Sequence, residues 1–600
     1  MKIANPLESN FAAAVPGIFL MFAVATHAAD PRTNSWFTIY SGQYARIYTN
    51  NTMLASGTAL TSWSNGSQTQ SLPAYDGVQE SYSSADWVYV RSTGLASYNM
   101  GPWQNGAFPN LPVNQKLLFR FPRTNGVPAT KTISGGGQIG IFVDGVAMFN
   151  SWDAYTWSTV SNVDAQNITG YWNRDAYVNE GATFDPGYAH QQNTGVYHYH
   201  ADPIGLRYLL GDHVDYNAAT KTYSESTNAP TQHSPILAWT ADGFPVYGPY
   251  GYSNATNASS GIRRMISGYV LRNGQDGTDN LPLTGRATIP QWAVRLYNVS
   301  ANQTGAPFTG IHTNGCYMED NDYLGDLTNS ATGTNYQQGV DFDLDEYNGR
   351  WCVTPEFPSG TYAYFVSISS NGIPTFPYNI GRGFYGSPAG GAVSVITETV
   401  VTNFLGNTNL FSTLNPPGVN NGTVTLAWST IEGGSYQVQA TTNLSDSSAW
   451  TVLATGVSPE QIAGSYTDKT SLPSRFYRVG LASVANYDTA GTTLFATNVV
   501  APGGSASRGQ TVSITITLPS SPPNPPVNAP LPGVTLTNTA SLWSISGSNI
   551  SHPATNSVVA VFIIPANAPT NALNVVVTFS PPPGQTQGAT YTLTGGFTIN

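Results

Sequence analysis

Two histidines separated by one residue stand in the segment NTGVYHYHADP, between two tyrosines. They are His198 and His200, and the chain has only 8 histidines among its 600 residues. In a β-strand, residues two apart share a face, with Cα atoms about 6.6 Å apart. His198 and His200 are therefore expected on one face, with Tyr197 and Tyr199 on the other. Two imidazoles on one face can bind one cation, through bonds of about 2.0–2.1 Å if it is zinc.

Histidines are concentrated around this pair. Five of the chain's histidines fall within residues 190–233. Such a density of imidazoles is typical of a transition-metal or polar-ligand site. The pair supplies the primary ligands of the predicted site, and three further residues are candidates to complete it: His190, His233 and Asp242. The alternative is that these histidines are structural residues held by hydrogen bonds.

A second group of possible ligands is acidic. In the segment DFDLDEYNGRWC, aspartates alternate with apolar residues, which predicts a strand with carboxylates on one face. Like charges held this close repel one another unless a cation or a basic group lies among them. One interpretation is a calcium site, and the other is a solvated acidic face that is partly paired by Arg350. The calcium candidates are Asp341, Asp343, Asp345 and Glu346.

The first residues predict export. Residues 11–25 are an apolar run of signal-peptide length, and small residues follow it up to a cleavage point after Ala28. We therefore expect a signal peptide over residues 1–28 and a secreted, periplasmic or cell-surface protein with no membrane span after signal removal. In an oxidising compartment, the two cysteines, Cys316 and Cys352, predict a disulfide worth about 3–4 kcal/mol.

Composition limits the partners. Only 9% of the residues are charged and the net charge is −11, so a nucleic-acid partner is not expected, because a phosphate backbone needs a basic surface. Aromatic residues make up 12% of the chain, and polar neutral residues are abundant. These features are compatible with a small polar ligand or an extracellular glycan as partner.

Strand and turn patterns dominate the chain and predict a mainly β, multidomain fold. The segment QIGIFVDGVAMF, residues 138–149, predicts a hairpin at Asp144-Gly145. The expected organisation is a large β-rich region over residues 29–400, followed by two small β-sandwiches over residues 405–482 and 487–600.

Three motifs in order carry a resemblance to a known family: YHYHADP, HSPILAWTADGFPVYGPYGY, and DFDLDEYNGRWCVTPEFPSGTYAYFV. Over about residues 85–390 the chain resembles the YHYH-domain proteins, an exported family without an established reaction. The two tail modules resemble fibronectin type III and immunoglobulin domains. The fibronectin resemblance depends on one aromatic pattern: Trp428, Tyr436, Trp450 and Tyr477.

Two functional hypotheses follow. In the first, the protein binds a metal ion or small polar ligand through the histidines, and any chemistry is metal-assisted hydrolysis or oxidation. In the second, it is a non-catalytic extracellular binding or adhesion module with structural histidines. The metal in the first hypothesis is a divalent transition metal at the histidines or calcium at the acidic segment.

Overall fold

The computed structural model of the chain describes residues 30–65, 68–103, 110–406, 415, 417–446, 448–458, 463–472, 474–495, 499–500, 504–518, 531–538, 543–554, 557–570, 572–579 and 590–599. The expected signal peptide lies outside these residues. The fold is mainly β, with 39% strand and 8% helix, as the strand and turn patterns predict. The α-helices are short: Pro31–Asn34, Asn51–Ser56, Ala176–Glu180, Ile204–Leu209, Leu281–Thr284 and Gln291–Tyr297. Single 3-10 turns span Gly181–Thr183, Met318–Asp320 and Leu324–Asp326.

A mixed eight-stranded sheet forms the centre of the large region. Its strands, in spatial order, are His190–Gln191, Tyr197–Tyr199, Ala147–Phe149, Gln138–Phe142, Ile236–Thr240, Pro245–Tyr247, Thr361–Phe365 and Gly349–Cys352. The predicted hairpin at Asp144-Gly145 is confirmed, since the two flanking strands pair antiparallel. Gly145 has a φ of 84°, which glycine adopts without a steric cost.

A five-stranded sheet packs against the central sheet. Its strands, in spatial order, are Gly391–Ala392, Leu117–Pro122, Trp87–Ser92, Val78–Ser83 and Val401–Leu405. One apolar cluster contains buried residues of both sheets, among them Val88 and Phe119 from this sheet and Ile141 and Trp239 from the central one. This shared core fixes the position of the central sheet.

A smaller sheet and its core lie beside the YHYH segment. The sheet consists of Asn173–Asp175, Trp152–Ser158 and Val163–Gln166. A second apolar cluster includes Trp157, Trp172 and Trp292. The remaining strands of the large region form two-stranded ribbons: Trp63–Asn65 with Gln68–Gln70, Val214–Asn217 with Thr222–Glu225, Tyr250–Tyr252 with Ile262–Arg264, and Tyr269–Leu271 with Asn321–Tyr323. Val395–Ile396 pairs instead with a strand of the C-terminal part, Leu494–Phe495.

The C-terminal part contains two further β units, each with its own buried core. The first has two three-stranded sheets: Gly418–Asn420, Thr423–Ser429 and Ala463–Lys469, and Thr451–Val457, Gly434–Thr441 and Phe476–Val484. The second has a four-stranded sheet of Val499–Val500, Thr511–Thr517, Ser557–Ile563 and Ser548–Ala554, and a five-stranded sheet of Gly504–Ala506, Thr590–Ile599, Ala572–Thr578, Gly533–Asn538 and Trp543–Ser546. Both units are β-sandwich-like.

The first sandwich contacts the large region through Glu432. Its carboxylate accepts a hydrogen bond from the backbone N–H of Tyr44 at 2.6 Å and forms an ion pair with Arg46. Among the described parts of the chain, none of the helices combines the length and apolar character needed to cross a bilayer.

Candidate metal centre

The YHYH segment lies between two neighbouring strands of the central sheet. Tyr197–Tyr199 pairs in parallel with Ala147–Phe149 and antiparallel with His190–Gln191. The antiparallel register places His190 directly across from His198. Directly paired residues on adjacent strands share a face of the sheet. The pairing therefore adds a third imidazole to the two that the sequence alternation predicts.

The two tyrosines of the segment point into the core. The hydroxyl groups of Tyr197 and Tyr199 each lie 2.8 Å from the hydroxyl of Tyr98. Tyr197 also donates a hydrogen bond to the Asp185 carboxylate at 2.5 Å. These bonds fix the strand's orientation, so the histidines occupy the opposite face. The predicted alternation of tyrosines and histidines is confirmed.

Hydrogen bonds at Nδ1 set the tautomers of His198 and His200. His198 Nδ1 lies 2.9 Å from the carbonyl oxygen of Val196. His200 Nδ1 lies 2.6 Å from the carbonyl oxygen of Asn150. A carbonyl oxygen only accepts hydrogen bonds, so each Nδ1 carries a hydrogen and each neutral ring has a lone pair at Nε2.

His190 is oriented in the same way through a hydroxyl group. Thr183 Oγ1 donates its hydrogen to the carbonyl oxygen of Glu180, at 2.7 Å. His190 Nδ1 lies 2.8 Å from this hydroxyl. Because a hydroxyl has only one hydrogen, Thr183 accepts from Nδ1 of His190. The Nε2 atom of the neutral His190 ring therefore also bears a lone pair.

The Nε2 atoms of His198 and His200 face each other at 3.0 Å. In this tautomer neither nitrogen can donate to the other, so the contact needs a shared proton or a cation. Ligand atoms around a tetrahedral zinc ion with bonds of about 2.0–2.1 Å are about 3.3 Å apart. The observed spacing is close to that distance. The ligand atoms of the histidine cluster, defined as His190, His198 and His200, all lie within 4.8 Å of one another.

Glu180 adds an oxygen to the histidine cluster. Its Oε2 lies 3.4 Å from His200 Nε2 and 3.6 Å from His190 Nε2. Glu180 is the last residue of the Ala176–Glu180 helix, whose first turn is capped by the Asp175 carboxylate at 3.1 Å from the Val178 N–H. A short capped helix thus supplies the carboxylate to the site.

Burial governs the charges of these groups. It lowers the pKa of His190 and His198 well below the usual range and lowers the pKa of His200 to about 4. Burial, with a smaller effect from the nearby Asp153, raises the pKa of Glu180 to about 8. At neutral pH and without a cation, the imidazoles are therefore neutral and Glu180 is protonated. The contacts between Glu180 and the imidazoles are then not ion pairs.

The histidine cluster lies at the base of an open cleft of about 640 Å³, here called the metal cleft. The cleft gives a small molecule access to Glu180 and to the three imidazoles. One wall is formed by Phe149, whose ring stacks on His198 with centroids 3.9 Å apart. On another wall, the Asp153 carboxylate is paired with Arg174 at 2.8 Å.

Two of the predicted ligands lie elsewhere. His233 Nδ1 donates a hydrogen bond to the carbonyl oxygen of Ser234, at 2.7 Å, and its ring is surrounded by the aromatic rings of Tyr247, Tyr252 and Phe365. Within the described residues, the group of possible metal ligands around His198 includes neither His233 nor Asp242.

Asp242 is a buried structural acceptor. Its carboxylate accepts hydrogen bonds from the hydroxyl of Tyr364, at 2.7 Å, and from the backbone N–H of Gly386, at 2.9 Å. It also accepts from the hydroxyl of Thr240. The Asp242 carboxylate therefore holds the turn after the buried strand Ile236–Thr240 and a distant loop together.

The acidic segment is a loop, so the predicted strand is wrong. The acidic loop, residues 341–346, begins after a turn at Gly339, with a φ of 83°, and ends before Asn348, with a φ of 67°. Turns at both ends prevent the extended pairing that a strand requires. The aspartates therefore do not line one strand face.

Each carboxylate of the acidic loop has its own partner. Asp343 forms two short bonds to Arg263, at 2.6 and 2.7 Å, and lies 3.6 Å from Arg350, as the second interpretation expected. Glu346 is paired with Arg295 at 2.6 Å. Two further carboxylates are satisfied by other groups: Asp341 by the Gln337 N–H, and Asp345 by the N–H groups of Tyr347 and Gly349 and the hydroxyl of Tyr362. The calcium interpretation gains no support from this arrangement.

The predicted disulfide is also wrong. Cys316 and Cys352 are both free and buried. Their sulfur atoms are not within disulfide distance of each other, and the two residues belong to different apolar clusters. Cys316 Sγ instead lies 3.5 Å from the amide oxygen of Asn179.

Sequence reasoning missed Glu180 and Thr183. Glu180 precedes the HxH pair by 18 positions and carries no ligand-like spacing to it. The usable signal is a short helix pattern, with Asp175 as a capping residue and Gly181 after the last turn. That pattern predicts a helix end, but it does not show that the end lies beside the histidines.

The fold and the site together define a β-rich multidomain protein with a histidine-lined cleft. Residues 118–377 match the family model described as YHYH protein. The matched residues, here called the YHYH domain, include the histidine cluster, Glu180 and the acidic loop. Among curated proteins, none matches the chain. The family match ends before the two sandwiches, so their resemblance to fibronectin type III and immunoglobulin modules stays a prediction.

Proposed function

We propose that the YHYH domain binds a divalent transition metal through Nε2 of the histidine cluster. The observation that carries the proposal is the 3.0 Å contact between two Nε2 atoms whose rings already donate their Nδ1 hydrogens to carbonyl oxygens. Histidines that bind metals usually donate the other ring N–H in this way, which fixes the tautomer and the ring orientation. A cation between the rings removes the repulsion of the facing lone pairs.

The ligand set favours a transition metal over calcium or magnesium. Imidazole nitrogen suits zinc, copper, iron and nickel, whereas calcium and magnesium prefer oxygen ligands. The histidine cluster offers three nitrogens, and Glu180 is the nearest carboxylate, at 3.4 Å from His200 Nε2. A bound cation would also favour the ionised form of Glu180, because opposite charges stabilise each other.

The site is open enough for chemistry. Three protein nitrogens leave a position for another ligand, which is the usual arrangement of catalytic rather than structural zinc sites. A metal there would activate a bound oxygen ligand, and Glu180 is placed to accept or return a proton beside it. This supports metal-assisted hydrolysis or oxidation in an exported protein, with export inferred from residues 1–28.

Elemental analysis of the full chain tests metal binding. The protein is treated with a chelator, dialysed separately against zinc, copper, manganese or calcium, and then freed of excess ion. We expect about one zinc or copper ion per chain, and less than a tenth of that in a His198→Gln/His200→Gln double variant. His312→Gln is the matched control, because His312 is a partly buried histidine outside the cluster and contacts Asp164 at 3.2 Å.

A second variant guards against loss of folding. Glu180→Gln keeps all three imidazoles and should retain the ion but change the visible spectrum of the cobalt-loaded protein. A folded wild-type chain that takes up no transition metal overturns the proposal. The non-catalytic alternative, in which the histidines are structural residues held by hydrogen bonds such as those at Nδ1, would then stand.

A further inference from the structure

We propose that the metal cleft binds a neutral, hydroxyl-rich ligand of the oligosaccharide class. This inference rests on the proposed metal site, since it names the class of molecule that would reach that site. The cleft volume of about 640 Å³ lies within the range of about 300–1,000 Å³ that is usual for small-ligand sites.

The charges of the cleft argue against a polyanionic ligand. Among the described residues that line it, no lysine or arginine is present, and the acids are Asp153 and Glu180. The nearest basic group, Arg174, is engaged by Asp153 at 2.8 Å and by Asp164 at 3.6 Å. A ligand with repeated carboxylates or phosphates would therefore find no basic side chain along the walls.

The polar groups of the cleft are mainly amides. Four exposed amide side chains line it: Gln166, Asn167, Gln192 and Asn193. Gln192 donates to Thr194 Oγ1 at 3.1 Å. For the side chains of Gln166, Asn167 and Asn193, the described residues provide no hydrogen-bond partner. An amide both donates and accepts, which matches the hydroxyl groups of a sugar.

Aromatic residues complete the walls. Trp152 and Tyr155 line the cleft, and the Trp152 Nε1 donates to the carbonyl oxygen of Tyr155 at 2.8 Å. Each ring is also held by an arginine, with Arg382 5.1 Å from the Trp152 centroid and Arg174 4.8 Å from that of Tyr155. Rings that are already fixed lose little conformational entropy when a ligand packs against them.

The lining of the cleft includes two glycines, Gly136 and Gly137, which contribute no side chain to it. Both residues line the cleft, and Gly137 has a φ of 90°. A methyl group built on Gly137 would meet no atom within 4 Å. There is therefore open space beside the Gly137 backbone, whereas a methyl group on Gly136 would lie 3.0 Å from the Trp152 ring.

The test measures binding of defined probes to the full metal-loaded chain by calorimetry. The probes are cellohexaose, xylohexaose and mannohexaose, with hexagalacturonate as the acidic counterpart and a glycine–serine peptide as a neutral amide chain. We expect at least one neutral hexasaccharide to bind at least tenfold more tightly than hexagalacturonate and the peptide. A Gln166→Ala/Asn193→Ala double variant should weaken that binding by about tenfold and leave the metal content unchanged.

The control is Asn228→Ala/Gln232→Ala, which removes two exposed amides outside the cleft and should leave both properties unchanged. Failure of all three neutral probes to bind the metal-loaded chain overturns the inference, as does equal or tighter binding of hexagalacturonate or the peptide. Either result leaves the proposed metal site intact, because metal content is measured separately. Conversely, hexasaccharide binding that depends on Gln166 and Asn193 in a chain that takes up no metal supports the ligand class and overturns the proposed function.

Discussion

The YHYH domain contains two concentrations of possible metal ligands, and they differ in how the ligand atoms are arranged. In the histidine cluster, two Nε2 atoms face each other at 3.0 Å and neither can donate in the neutral tautomer. In the acidic loop, Asp343 and Glu346 are each paired with an arginine at 2.6 Å. The number of ligand-type residues is similar, yet only the first group has lone pairs directed at one another.

The difference concerns solvation as well as geometry. The histidine cluster is buried, and burial lowers the pKa values of its imidazoles, so neutral ligands are ready for a cation without losing protons. In the acidic loop, two of the four carboxylates are instead neutralised by protein cations. Asp343 has Arg263 and Glu346 has Arg295, so a calcium ion would have to displace existing ion pairs. The feature that distinguishes the histidine cluster is therefore the facing pair of Nε2 atoms on His198 and His200, not the density of possible ligands.

The largest expected effect concerns pH and His200. Burial lowers the folded-state pKa of His200 to about 4, whereas an unfolded histidine has a pKa near 6.5. Between these values the unfolded chain binds more protons, so stability falls as pH falls from 6.5 to about 4. In the metal-free protein, His200→Gln should remove up to about 3 kcal/mol of this loss of stability. The measurement is the unfolding free energy of the variant and of the wild type at several pH values between 6.5 and 4.

His233 provides the matched control for this measurement. Burial also lowers its pKa to about 4, but it lies among aromatic rings outside the histidine cluster. His233→Gln should therefore also reduce the fall in unfolding free energy between pH 6.5 and about 4. Added zinc should make the unfolding free energy depend more steeply on pH where His200 is the cause. The part of the pH dependence that is due to His233 should not change with zinc. Equal responses of the two variants to zinc would contradict the distinction between a metal ligand and a structural histidine.

A smaller effect is expected at the acidic loop. Asp343→Asn removes the charge that pairs with Arg263 and weakens the acceptor for the backbone N–H of Ile266, at 2.8 Å. We expect the unfolding free energy to fall by about 1–3 kcal/mol, which chemical denaturation measures. Bound zinc or copper should not change, and calcium should not stabilise either protein. Calcium stabilisation of the wild type that Asp343→Asn abolishes would restore the calcium interpretation.

The sequence predicts the local part of the histidine site and not its assembly. Alternation over Tyr197–Tyr199 predicts which side chains share a face, because this depends only on the period of a strand. The choice among His190, His233 and Asp242 depends on strand order, since only His190 pairs across from His198. Glu180 reaches the site through a helix end, which no residue spacing encodes.

The error at the acidic loop has the same origin. Alternating Asp343, Leu344 and Asp345 have the period of a strand, but a strand also needs a neighbour to pair with. The partners of the carboxylates, Arg263 and Arg295, come from about 50 to 80 positions earlier in the chain. Whether an acidic segment needs a cation depends on such long-range partners. Neither composition nor periodicity reveals these partners.

The smallest effect is expected at the two cysteines. One lies on the side of the histidine cluster and the other on the side of the acidic loop. Cys316 accepts the backbone N–H of Asp175 at its carbonyl oxygen, at 2.9 Å, and so contacts the start of the helix that carries Glu180. Cys352 ends the strand Gly349–Cys352, which follows the acidic loop. Burial raises the pKa of Cys316 to about 11 and also raises that of Cys352, so both thiols should be unreactive in the folded protein.

A reducing agent should therefore leave the melting temperature unchanged, and a thiol reagent should modify two groups per chain only after denaturation. Mass spectrometry of the unreduced, denatured chain checks the same point, since a disulfide would lower the mass by two hydrogens. A melting temperature that falls on reduction would mean that a covalent bond joins the two regions. No such bond is expected to couple the two regions. Substitutions at the acidic loop should therefore lower the unfolding free energy without changing the geometry of the histidine cluster.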